Sequence, residues 1–188
     1  MLFRSTNLGV AVAQRIERFR NPFFTVIKPA DVLSPEIRKE IPTFDGYLPT
    51  DLWQELAELG QPVTPNGQAI VATVEDLEAQ TRLKTQRARQ AVELSFHLLG
   101  QDLLMASYWM EVRKAQKPER NFGPAPTAAL AALRQVIPWR QAPSARQKRP
   151  LGMVAYDFMQ ENPAAKFVSG GPTPPESEAH PIAGVLSK

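Results

Sequence analysis

Residues 73–117, TVEDLEAQTRLKTQRARQAVELSFHLLGQDLLMASYWMEVRKAQK, contain no proline, and neither do residues 66–72 before them. Seven prolines precede this window and eleven follow it. Proline lacks an N–H and clashes with the preceding helical turn, so the proline-free window marks the main helical element. Thr73 is a good N-cap, and Glu75, Asp76 and Glu78 sit at the positive end of the dipole. Arg113, Lys114 and Lys117 sit at its negative end, and Pro118 stops it. Unbroken, residues 74–117 would span about 66 Å at 1.5 Å per residue. Gly100 is the weak point, and a break there would give two stacked helices instead.

The two halves of this helix differ. Residues 75–91 are polar, with a basic run at Arg82, Lys84, Arg87 and Arg89. Residues 92–112 place their apolar side chains over an arc of roughly 200°, wider than a surface helix needs. Such an arc implies packing on two sides or contact with another chain. Val92, Phe96, Leu99, Leu103, Ala106, Trp109 and Met110 are the candidate partner interface. Only Asp102 and Ser95 intrude into the arc, and a buried Asp102 calls for an arginine partner. Glu93, His97, Gln101, Asp102 and Glu111 argue against a transmembrane span, because charge at the bilayer centre is costly.

Outward from this helix, the flanks read as short helices and proline-rich arms. Leu8, Val12, Ile16 and Phe19 form one helical stripe in an amino-terminal segment with arginines at 4, 15, 18 and 20 and a lone acid, Glu17. This Arg-bearing, acid-poor stretch resembles a mitochondrial targeting segment; the plainer alternative is a first helix docked on the body. Residues 21–50 read as mostly extended, with one short helix capped by Ser34, opened by Pro35 and ending before Pro42. Asp45-Gly46 is a turn signal. A helix is expected over 51–60, with Asp51 and Gln54 as a capping box, Leu52, Leu56 and Leu59 inward, and Gly60 as the stop. Trp53 lies off that face and is a candidate contact residue. Residues 69–72 could form a short strand.

Beyond Pro118, Thr127 is expected to cap an Ala/Leu helix with Leu130, Leu133 and Ile137 inward. A basic linker, 138–150, follows, and residues 151–162 hold another short helix with Val154 and Phe158 inward. From 164 the composition is that of an extended tail. The fold class is therefore mainly α. Its expected organisation is an arm with short helices over 1–72, a helical body over 73–163 and a tail over 164–188.

The chain of 188 residues carries no cysteine and two histidines, His97 and His180, which excludes disulfides, thiol nucleophiles and histidine-rich metal cages. Net charge is +3, with the basic excess in the last third of the chain. Glu93, His97 and Gln101 share a helical face, but no second helix carries a matching Glu-x-x-His, so the pattern reads as ordinary surface polarity. Gly-x-Ser-x-Gly, His-Glu-x-x-His, the phosphate-binding loop and the dinucleotide fingerprint are all missing. Arg140, Arg146, Lys148 and Arg149 beside Trp139 are candidate contacts to an anion or acidic partner, with anionic lipid or RNA as alternatives.

These features read as a non-catalytic accessory subunit of a large assembly, foremost a mitochondrial membrane-bound complex such as a respiratory complex or ATP synthase. Its partners would be other protein subunits. A virion or injection-machine structural protein and a ribosome-associated RNA-binding protein are the alternatives, with virion or cytoplasm as the corresponding locations. No catalytic residue, cofactor or metal is expected.

Overall fold

A computed structural model describes residues 2–41, 47–61, 81–140 and 149–168. The regular elements among the described residues are all helical, so the mainly α fold holds. They are α1 (Leu2–Arg20), α2 (Pro22–Thr25), α3 (Pro29–Val32), α4 (Pro35–Glu40), α5 (Leu48–Leu59), α6 (Thr81–Gln116), α7 (Pro124–Val136) and α8 (Leu151–Glu161). One turn of 3-10 helix, Ala164–Lys166, follows α8.

Helix α6 is the axis of the molecule. It runs unbroken for 36 residues, about 54 Å. The expected start at Thr73 falls outside the described residues. Gly100 does not interrupt it. Instead, a Cβ at Gly100 would lie 3.0 Å from the carbonyl oxygen of Gly152 and 3.3 Å from the backbone N of Tyr156, so the missing side chain lets α8 cross α6 at close range. Gly152 contributes the small residue on the opposing helix.

The wide apolar arc of α6 is filled from two directions. On one side, Leu98, Met105, Trp109 and Val112 pack with Val12 and Ile16 of α1, Leu33 and Ile41. On the other, Leu104 packs with Leu133, Ile137, Ala155 and Phe158 from α7, α8 and the residue after α7. Ile16, Leu98, Val112, Leu133 and Ile137 are almost fully buried, each worth about 1.5–3 kcal/mol relative to exposure. The amino-terminal helix is accordingly docked along α6 through the apolar stripe, with Val12 and Ile16 buried and Leu8 half exposed. Helix α5 lies against both, and a Cβ on Gly9 of α1 would collide with the Leu56 side chain.

Residues 22–40 depart from the extended path expected of them. They form three short helices, each opened by a proline. Proline's fixed φ suits the first helical turn and its missing N–H costs nothing there, so Pro22, Pro29 and Pro35 initiate rather than forbid helix. Only α4 was anticipated, and Ser34 caps it by accepting from the N–H of Ile37. Helix α5 starts at Leu48, ahead of the expected Asp51, with Pro49 in its first turn. Helix α7 starts at Pro124, with Gly123 as N-cap at φ 84°, rather than at Thr127. Thr127 spends its hydroxyl on the carbonyl of Gly123. Helix α8 matches its expected span, and Phe158 is buried there. The tail is not extended from 164: the 3-10 turn brings Phe167 against Phe158, with ring centroids 6.4 Å apart. The turn at Asp45-Gly46 and the strand over 69–72 lie outside the described residues.

Candidate functional site

Where α1, α2 and the carboxy-terminal end of α6 converge, they line an open cavity of about 540 Å³. Its apolar wall is Phe19 of α1, Phe24 of α2, Ala106, Trp109 and Met110 of α6, and Phe122. Arg15 and Arg18 of α1 and Arg113 of α6 line it as well, with Thr25. This is the size and composition of a small-molecule site: mostly apolar, with a few polar groups that fix orientation.

Local sequence explains the placement. Arg15, Arg18 and Phe19 are spaced at three and four residues along α1, so they share one flank beside the buried stripe. Asn21 then caps α2 by accepting from the N–H of Phe23, which turns the chain so that Phe24 and Thr25 face back over α1. Helix α2 ends at Val26, which holds φ 68° and donates its N–H to Pro22. A left-handed conformation at a β-branched residue costs about 1–2 kcal/mol. Arg113 clamps the turn by donating from Nη2 to the carbonyl of Thr25 at 2.6 Å.

The three arginines differ in their electrostatic state. Arg15 is neutralised: it makes a two-point ion pair with the buried carboxylate of Asp102 through Nε and Nη2. The sequence reading of Asp102 as an arginine-paired carboxylate is what the structure shows. Arg18 lies over the Phe24 ring at 5.8 Å, and Arg113 donates to Thr25 and Gln116. No carboxylate among the described residues pairs with Arg18 or Arg113. The cavity therefore presents aromatic and aliphatic walls together with two guanidinium groups that no carboxylate among the described residues compensates. In its wall, the indole Nε1 of Trp109 is buried and lacks a hydrogen-bond partner among the described residues. An unpaired buried donor costs about 1–3 kcal/mol.

A second cluster sits farther along α6. The Tyr156 hydroxyl of α8 donates to Glu93 at 2.6 Å, and the His97 ring stacks on Tyr156 with centroids 4.3 Å apart. His97 Nε2 lies 3.6 Å from the same carboxylate. The hydrogen bond to Glu93, ahead of any burial, raises the phenol's pKa above its ordinary value. Sixteen residues of helix, about 24 Å, separate His97 from Arg113, so this cluster does not reach the cavity. Among the described residues, no group of three or more His, Asp or Glu side chains is placed to hold a metal.

The residues singled out from sequence are distributed as follows. Of the expected partner face, Trp109 is buried, Leu99 packs on the α1 side and Leu103 on the α7–α8 side. Ala106, Trp109 and Met110 line the cavity. Phe96 is half-buried, while Val92 is exposed. Of the basic linker, Arg140 pairs with Glu40 and Arg149 with Asp157, both within the chain. Arg146 and Lys148 lie outside the described residues. Trp53 is partly buried between α5 and α1 and lines a different cavity. Sequence reasoning missed Arg18, Phe24, Arg113 and Phe122 as a group. Their union comes from the α2 turn, and the only local signal for it is Asn21-Pro22 ahead of two phenylalanines.

A family model described as aromatic amino acid lyase matches residues 3–135. No curated protein and no solved structure matches the chain. The chain belongs to the aromatic amino acid lyase family, whose members are enzymes. This overturns the expectation of a non-catalytic accessory subunit, in a mitochondrial complex or in the alternative assemblies, and with it the expectation that the chain is not an enzyme.

Proposed function

We propose that this chain, as a member of the aromatic amino acid lyase family, takes an aromatic amino acid into the cavity between α1, α2 and α6. The observation that carries the reading is the pairing of an aromatic-walled cavity with the guanidinium groups of Arg18 and Arg113, which no carboxylate among the described residues compensates. The substrate's ring would lie against Phe19, Trp109 and Met110. Its carboxylate would take charge-assisted hydrogen bonds from Arg18 and Arg113, the strongest class of neutralising contact available there. Both groups act by holding and orienting, which fixes the bonds that an elimination breaks. The acceptor for the substrate's proton is not supplied by the described lining: its ionisable members are arginines, and Thr25 donates its hydroxyl to Ile27.

Titration calorimetry with L-phenylalanine and with phenethylamine, which lacks the carboxylate, tests this. Phenylalanine is expected to bind and phenethylamine to bind at least about tenfold more weakly. Arg18→Gln and Arg113→Gln should each weaken phenylalanine by about 10- to 100-fold, the worth of a charge-assisted hydrogen bond. Equal affinity for both ligands, or unchanged affinity in both variants, would refute the assignment. Tyr156→Phe, remote from the cavity, should leave the affinity as it is.

A further inference from the structure

We propose that the α2 turn is a docking tip for the surface of an anionic lipid bilayer. Phe23 and Val26 are each 82% exposed and Phe24 is 55% exposed. Three large apolar side chains thus stand in water on a segment of four residues. Scattered exposed apolar residues are ordinary, but a contiguous cluster marks a contact surface. Backbone geometry holds this cluster outward. Val26 keeps a left-handed conformation that β-branched residues avoid, and nothing inside the molecule gains from its side chain. Among the described residues, the Phe23 ring packs edge-on against its neighbour Phe24, with centroids 5.2 Å apart.

Charge selects the occupant. Residues 17–31 carry Arg18, Arg20 and Lys28 against Glu17 and Asp31, and Arg113 reaches the turn from α6. Four cations against two carboxylates leave the turn and its flanks net positive, with Arg18 and Arg113 against the turn itself. A protein partner would need a pocket shaped for the tip. A bilayer needs none: its headgroup region takes any convex apolar tip, while anionic headgroups attract the cations. Arg18, Arg113 and Phe24 also line the cavity, so vesicle binding is measured without an amino acid ligand.

The test is sedimentation of the full chain with phosphatidylcholine vesicles, alone or with about 30% phosphatidylserine. Binding is expected to the serine-containing vesicles, and to weaken as salt rises from about 0.05 to 0.5 M, where screening shortens from over 10 Å to a few ångströms. The double variant Phe23→Ser, Val26→Asn removes the tip without straining the turn, because asparagine tolerates the left-handed region. Its circular dichroism should match the parent, and its vesicle binding should fall at least about tenfold. Absence of binding by the parent, equal binding to both vesicle types, or equal binding by a folded double variant would overturn the proposal. So would concentration-dependent self-association of the parent, abolished in the double variant, without vesicle binding.

Discussion

Asp102 shows how a single residue in an apolar stripe forces a tertiary contact. A carboxylate 8% exposed would cost several kcal/mol unpaired, so α1 must dock in the register that brings Arg15 to it. Both oxygens are engaged, one of them by Nε at 2.7 Å. Because the guanidinium is half exposed and the carboxylate is not, the two partners are unequal. Arg15→Leu should destabilise by about 2–3 kcal/mol, leaving a buried charge without its partner. Arg15→Leu with Asp102→Leu together should cost less than Arg15→Leu alone. Urea unfolding of the single and double variants decides it, and a double variant less stable than Arg15→Leu would contradict this view of the pair. That Asp102 needs an arginine was legible in the sequence. Which arginine was not, since Arg15 lies 87 positions away and is chosen by helix docking.

At the scale of elements, periodicity carried the fold. The stripe of α1, the span of α8 and the main body of α6 all follow from apolar spacing and from where proline is absent. The departures in the amino-terminal half share one cause. Pro22, Pro29 and Pro49 lie in a stretch whose proline content reads as extended, yet each stands in the first turn of a helix, where proline is tolerated. Gly100 reads as a flaw in α6, whereas it is the contact at which α8 crosses. A leucine at position 100 gains helix propensity over glycine but meets backbone of α8 that has no flexible side chain to yield. Gly100→Leu should therefore lower stability by about 1–3 kcal/mol through overpacking and expose the α8 amides to hydrogen exchange. By contrast, Gly152→Ala meets only the amide end of the Gln101 side chain, which can swing away, and should change stability by less than about 1 kcal/mol. Equal effects of the two substitutions would place the close approach elsewhere.

For the molecule as a whole, the roughly 200° apolar arc admitted two readings, packing on two sides or a partner chain. The structure fills it from α1 on one side and from α7 and α8 on the other. What the sequence did not disclose is the cavity, because its residues come from three elements and none belongs to a recognisable motif. Arg18 and Arg113 read as ordinary helix arginines until α2 brings the Phe24 ring to the one and the Thr25 carbonyl to the other. The central claim is that these two guanidinium groups and the aromatic wall around Trp109 hold an aromatic amino acid. A crystal structure of the full chain soaked with L-phenylalanine tests it most directly. The account predicts the ligand between α1, α2 and α6, with its carboxylate within about 3 Å of the Arg18 or Arg113 guanidinium and its ring against Trp109. A ligand bound elsewhere, such as in the neighbouring cavity lined by Arg38 and Tyr108, would contradict it.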